Sequence, residues 1–531
     1  MLDLTVPPLL AESSLPFRDS AQAKAWLAQL PLTNTVQAHE ALLEVVDRLN
    51  LTVLRPYERL KILELLREPV AFLQEARSKT FAGHPLPLTL PEKRARQHVS
   101  SLWAAMRKGY RYCLAGAADG DAEVVDHLAL MVVRGIRYSG LQILNYGFAK
   151  QAVDDRLWIE LHDWYTFAEA RGSTSQEVRD SLYGYHRLST PAAAYLRALL
   201  LAAAEPYRIA PLELSATDAL AAWAANKLTL SLSAEKSELV RVVNLESAQG
   251  LQAQGRQGKS DERNLRYIDL APLAESLQRR VRKLAGGAKF TDLRLPQAFT
   301  QVDAPALLQR LLSAWSTPPE GEPLQPTTET FCEVTVDLVH MHELTAGRVF
   351  TQPSSTAELS RLDTERIAAL GHVGRSVADS GRLPQPERWQ LLLEGAKSLR
   401  MCRSEMGKER INLNQLIGVR AIGDKEFQPA VIRNLVEQVQ GIVVDAVALP
   451  GRAEAVAFRP LALTEASKHY TPGLTLVDRG GKRPATLLVP SRAFQPGRTV
   501  ELMTQTTSYK ARFTTLIERG PNFDWVNCEV E

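Results

Sequence analysis

A chain of 531 residues with 45% hydrophobic composition can bury several cores, at roughly 100–200 residues per domain, so it does not read as a disordered polymer. Its 63 basic and 60 acidic side chains leave a formal charge of only +3, which excludes the one-sided field of a dedicated nucleic-acid binder. The four cysteines, Cys113, Cys332, Cys402 and Cys528, lie far apart without CxxC spacing, so neither a zinc site nor a redox dithiol is expected from them. Met1 to Leu10 lacks a basic segment and its apolar run is broken by Pro7 and Pro8, so no signal peptide is expected. The most apolar run, Ala198–Ala204, is far shorter than the roughly 20 residues that cross a bilayer. Cytoplasm is the expected location.

From Ser20 to Ala225 apolar residues recur at three- and four-residue spacing, the period of amphipathic helices. Thr35 is placed to cap a helix carrying Leu42, Val45, Val46 and Leu49, and Pro56 and Pro69 each stand where a helix would begin. Longer helices are expected over Glu92–Leu114 and Ala122–Lys150, with small breaks at Gly109, Gly135 and Gly140. Asp155–Ala170 carries Trp158, Leu161, Tyr165 and Ala168, the spacing of the first helix of a tetratricopeptide repeat, but no matching second helix follows Gly172, so core packing is the simpler reading. Pro191–Glu205 and Leu212–Ala225 complete a bundle or short solenoid over residues 1–225.

Residues 226–316 read as a mixed region, a small barrel plus helices. Lys227–Leu232 alternates with period two, Leu239–Val243 is a second strand, and helices follow at Pro272–Leu284 and Pro305–Trp315. Residues 317–384 read as a linker and partly ordered segment, because Pro318, Pro319, Pro323 and Pro326 exclude regular structure over Thr317–Thr328, although Cys332–Asp337 alternates like a strand. From 385 to 531, about ten short strands separated by Gly and Pro signals argue one barrel or a pair of small barrels. They are expected at Trp389–Leu393, Leu416–Ile422, Ala430–Val436, Ile442–Leu449, Ala455–Phe458, Thr475–Val477, Thr486–Val489, Thr499–Met503, Tyr509–Leu516 and Trp525–Val530. The fold class is therefore α+β multidomain: a helical N-terminal half, a mixed middle and a β-barrel-like C-terminal module.

Chemistry-bearing motifs are sparse. There is no G-x-S-x-G elbow, P-loop or Rossmann glycine fingerprint. His340 and His342 would face one side of a strand, with Glu343 as a base and Asp337 or His372 as further ligands, but no recognised metal spacing links them. The basic clusters Arg107–Arg111 and Arg279–Lys283 lie on expected helices and read first as solvated faces. Arg479-Gly-Gly-Lys-Arg483 instead sits in a glycine turn between strands, where its guanidinium groups could fork toward a phosphate.

The helical N-terminus, the proline-rich segment, and a C-terminal region with Trp389-Gln-Leu-Leu-Leu-Glu-Gly, Ile417-Gly-Val-Arg and Leu487-Leu-Val-Pro together resemble large proteobacterial proteins carrying PilZ-like barrels. The resemblance implies a small β-barrel that binds cyclic di-GMP through an R-x-x-x-R segment and a [D/N]-x-S-x-x-G segment. Arg479 and Arg483 have the first spacing, late in the chain. Asn244, Ser247 and Gly250 approximate the second, with one residue more between Asn and Ser.

The resulting expectation is a cytoplasmic, non-catalytic regulatory or adaptor protein that needs no cofactor. Its helical half would meet a protein partner, and cyclic di-GMP is the implied small ligand, with Arg479, Arg483, Asn244, Ser247 and Gly250 as ligand residues. Two alternatives stay open: a protein-binding scaffold or chaperone-like adaptor without a nucleotide, and a metal-dependent enzyme using His340, His342 and Glu343.

Overall fold

The computed structural model of the chain describes residues 9, 15–118, 120–183, 187–234, 237–253, 261–316, 325–352, 382–404, 407, 409–461, 469–477, 484–504 and 507–530. The chain forms two compact units, one of residues 1–84 and 88–320, the other of residues 85–87 and 321–531.

The first unit opens with α1 (Ser20–Leu27), α2 (Thr35–Leu51) and α3 (Pro56–Ser78). Asn34, rather than Thr35, caps α2 by accepting from the Gln37 backbone N–H at 3.2 Å. Pro56 starts α3 as expected, but Pro69 lies inside it. A proline there costs about 3 kcal/mol, and the stripe Leu60, Leu63, Leu66, Val70 and Leu73, all buried on one face, outweighs it at about 1.5–3 kcal/mol per side chain. Next come α4 (Leu90–Ala118), α5 (Ala122–Val125), α6 (Leu128–Phe148) and α7 (Asp155–Ala170). The expected glycine breaks are absent, because these glycines serve close approach: a Cβ at Gly135 would fall 2.5 Å from the Trp164 ring of α7.

After α7 the chain makes a hairpin, β1 (Val178–Arg179) with β2 (Leu188–Ser189), in the place where a repeat would need its second helix. Asp180 beside it is fully buried and anchors the hairpin to α3 and α6: Arg67 Nη2 lies 2.5 Å from Oδ1, Arg137 Nε 3.4 Å from Oδ2, and Arg134, 3.5 Å from Oδ1, also reaches Glu64 at 2.9 Å. Trp158, Leu161, Tyr165 and Ala168 are all buried, which makes α7 a packing helix. The unit continues with α8 (Pro191–Ala203), α9 (Pro211–Ala225), β3 (Val240–Asn244), β4 (Gln252–Ala253), β5 (Leu265–Asp269), α10 (Ala271–Ala285) and α11 (Ala304–Ser316). Among the described residues these three strands form an open sheet in the order β4-β3-β5 rather than a closed barrel. The alternating Lys227–Leu232 segment contributes one bridge, Ser231 to Tyr267.

The second unit is built on two closed six-stranded barrels. The first uses β6 (Gln325–Thr335), β7 (Glu387–Glu394), β8 (Ser398–Arg403), β9 (Leu416–Ala421), β10 (Gln428–Gln438) and β11 (Gly441–Ala448), with α12 (Leu338–Ala346) between β6 and β7. The second uses β12 (Arg452–Pro460), β13 (Thr471–Val477), β14 (Pro484–Val489), β15 (Thr499–Met503), β16 (Ser508–Arg519) and β17 (Asp524–Val530). Around each barrel the strands run first, second, third, sixth, fifth, fourth, so the barrels are a structural repeat. The β structure begins at Gln325 rather than at 385: β6 pairs with β9 at Val334↔Val419 and with β7 at Cys332↔Trp389. The remaining parts of the expected linker, 317–324 and 353–381, lie outside the described residues.

The barrels are joined by more than the chain between them. Leu338 and Met341 of α12 share one apolar cluster with Leu416 and Val431 of the first barrel and Leu474, Leu476 and Leu488 of the second. Asn522 of the β16–β17 turn accepts from the Leu416 N–H at 2.9 Å and donates to the Leu416 and Val336 carbonyls at 3.0 and 3.3 Å. Arg433 forks onto Glu518 at 2.5 and 2.7 Å.

Candidate functional site

Strands β13 and β14 form a hairpin paired at Leu474↔Leu488, Thr475↔Leu487 and Val477↔Pro484. Val477 and Pro484 pair at one end of the second barrel, and residues 478–483 between them, with Arg479, Lys482 and Arg483, lie outside the described residues. At the same end β12 begins with Arg452, opposite Val477, which is ion-paired to Glu454 at 2.6 Å and Glu426 at 3.2 Å. Gly451, with φ of +93°, makes this corner possible: a Cβ there would stand 2.9 Å from the Val477 carbonyl oxygen.

The second expected ligand segment has a different setting. Asn244 ends β3 in the first unit, so the Asn244–Gly250 turn is not part of either barrel. Its polar atoms are used in the turn itself: the Glu246 N–H donates to Asn244 Oδ1 at 3.0 Å, and the Ser247 hydroxyl donates to the Asn244 carbonyl at 2.9 Å. The turn is seated on α7, where a Cβ at Gly250 would come within 3.0 Å of the Trp158 ring. His162 completes the seat, with Nε2 3.0 Å from the Gln249 carbonyl and Nδ1 2.7 Å from the Tyr195 hydroxyl. A carbonyl only accepts, so Nε2 carries the proton and Nδ1 accepts from tyrosine. Burial pushes the His162 pKa down to about 4, so the ring stays neutral at physiological pH.

The histidine pair is on α12, a helix, so the strand geometry that would put both rings on one side is overturned. Two residues along a helix are rotated about 200° from each other. His340 is half-exposed, 3.7 Å from Glu409, whereas His342 is buried and bonds the Gly473 carbonyl at 2.9 Å. Asp337 is the N-cap, accepting from Val339 and His340 at 2.7 and 3.1 Å, and Glu343 accepts from the Phe350 N–H at 3.0 Å. His372 lies outside the described residues. Among the described residues no group of three or more His, Cys, Asp or Glu side chains is placed to hold a metal.

The described residues thus define a class of protein in which a helical domain is followed by tandem six-stranded barrels. The comparisons agree with that class. Residues 21–236 match the family model described as the cyclic-di-GMP receptor FimW, N-terminal domain, and residues 456–527 match the FimW C-terminal beta-barrel domain, which falls on the second barrel. The chain is also similar to the cyclic-di-GMP receptor FimW of Pseudomonas aeruginosa, with 23% identity over 541 aligned positions that cover 93% of this chain and 88% of that protein. The two domain models thus match in that order along the chain, and the β-barrel module expected from the sequence is present. No solved structure matches the chain. Among the described residues no helix is long and apolar enough to cross a membrane.

Proposed function

We propose that this protein is a non-catalytic cyclic di-GMP receptor of the cytoplasm, in which the second barrel holds the nucleotide and the helical domain meets a protein partner. The observation that carries the reading is the similarity, along nearly the whole chain, to a receptor named for that ligand, with a family domain matched at each end. The chemistry of the β13–β14 connection supports it, because Arg479 and Arg483 have R-x-x-x-R spacing. Guanidinium groups fork onto phosphate oxygens and stack on bases, which suits a cyclic dinucleotide. Asn244, Ser247 and Gly250 are better read as the turn that seats β3 on α7. The partner surface is supported by a groove of about 440 Å³ on the helical domain, where Leu60, Leu65 and Leu130 stand beside Lys61 and the stacked Tyr57–His127 pair.

Calorimetry of the full-length protein with cyclic di-GMP tests the proposal. Saturable binding is expected, weakened about 10- to 100-fold by either Arg479→Ala or Arg483→Ala, the loss typical of one charge-assisted contact. Tight binding unchanged in both variants would place the ligand elsewhere. No heat at any concentration would leave a protein-binding scaffold.

A further inference from the structure

The side of α3 that faces away from its buried stripe is apolar at its middle. Leu65 there is half-buried and Phe72 is 54% exposed, which leaves much of a benzyl group in water. They stand two helical turns apart, so they lie within about 20° of each other around the helix and about 10.5 Å apart along it. Leu65 also lines the groove of about 440 Å³, together with Tyr57, Leu60 and Glu64 of the same helix and with His127 and Leu130. Phe72 lies two turns past Leu65 on the side away from Tyr57, so it does not reach the groove of its own chain. The two charged side chains of the groove are paired within the chain, Lys61 with Glu58 and Glu64 with Arg134 at 2.9 Å, so an apolar occupant suits it better than an ion.

The charges on the same side of α3 have a matching order. Glu58 pairs with Lys61 near the start of the helix, and Glu75 pairs with Lys79, 3.0 Å away, at its end, so each end of this face reads negative then positive in chain direction. A second α3 laid antiparallel, with the two-fold axis beside Glu68, presents the same order reversed. Lys61 then stands level with Glu75 of the second copy, and Glu58 stands within one residue of its Lys79. Phe72 of the second copy stands level with Glu64, at the groove, and by symmetry the first Phe72 meets the groove of the copy. Glu68 alone faces its own like.

We infer that the groove takes Phe72 of a second copy of the chain, so that the helical unit self-associates through antiparallel α3 helices. The inference rests on the reading of the groove as a partner surface and names its occupant, and it is independent of cyclic di-GMP. An aromatic anchor seated in a pocket supplies affinity, while complementary charges on either side of it set the register. Two helices cover less than the roughly 1,200–2,000 Å² of a stable interface, so a dissociation constant on the order of 10–100 µM is expected.

Sedimentation equilibrium of the full-length protein over about 1–300 µM tests the inference, with thermal unfolding as the control for folding. A concentration-dependent dimer is expected, weakened about tenfold or more by Phe72→Glu at an unchanged melting temperature, because that side chain is exposed. Lys61→Glu and Glu75→Lys should each weaken the dimer and their combination should restore it, while Glu68→Gln should tighten it. A wild type that stays monomeric overturns the second copy as occupant and leaves the groove to a different protein. A dimer of wild-type affinity in Phe72→Glu, or a charge exchange that restores nothing, also overturns it. A dimer lost in Phe72→Glu but kept in Leu130→Lys overturns the groove as the seat, and with it the partner-surface reading.

Discussion

Lys150, two residues past the end of α6, is 3% exposed and directs its ammonium at the carbonyls of Pro206, 2.8 Å away, and Ile209. Burial pushes its pKa from the ordinary 10.5 down to about 7, the Glu213 charge countering only part of the shift. Between those two values the unfolded chain binds more protons than the folded one, so stability rises with pH across that window; below about 7 both states are protonated and the penalty is constant. Urea unfolding should show wild type gaining stability from about pH 7 to 9, by at most about 1.4 kcal/mol per pH unit. Lys150→Met should lose that gain, and equal pH slopes in the two proteins would show that the amine is charged in the fold. Residue-scale signals in the sequence were legible as residue types and not as settings. Asn244, Ser247 and Gly250 approximate a ligand motif in the sequence, and only the structure shows that the turn they belong to rests on His162 and Trp158, distant in sequence.

At the scale of elements, all ten expected strands of the C-terminal region form, because each combines β-branched or leucine-rich alternation with a turn signal at its ends. Strand β8, Ser398–Arg403, went unread: its alternation is masked by Arg400, which leans on Asp445 of β11 at 2.6 Å. Strand β6 was half legible in Cys332–Asp337, but Pro326 and the polar residues around it obscured the rest. Helix α12 was hidden by its alternating histidines, although Asp337 was a readable cap. The position of β6 has a consequence for dissection. A fragment of residues 385–531 lacks it and leaves β7 and β9 without a shared partner, so it should aggregate or unfold without a cooperative transition. A fragment starting at 325 should unfold cooperatively in urea, and a cooperative 385–531 fragment would show that β6 is dispensable.

Over the whole chain, the tandem barrels share one strand order and act as one body through α12, Arg433–Glu518 and Asn522. Asn522 satisfies both backbone groups of Leu416, a fully buried residue that opens β9. Asn522→Ala leaves them without those partners, at a cost of about 2–3 kcal/mol. Chemical unfolding should register that loss and separate the barrels into two transitions. A single transition with unchanged midpoint would mean that the apolar cluster alone joins them.

The sequence alone determined the helical N-terminal half, ten strands of the C-terminal region, and the R-x-x-x-R spacing of Arg479 and Arg483 between two of them. These are local properties, set by periodicity, caps and turn residues within one or two turns of chain. Only the tertiary structure decided that there are two barrels with a common topology, that β6 belongs to the first, that the Asn244 turn belongs to neither, and that Lys227 and Arg280 meet at Trp223. Each depends on partners that no local pattern specifies, such as Val334 with Val419 or Lys227 with Arg280, because ring closure and charge convergence are fixed by which distant surfaces bury each other.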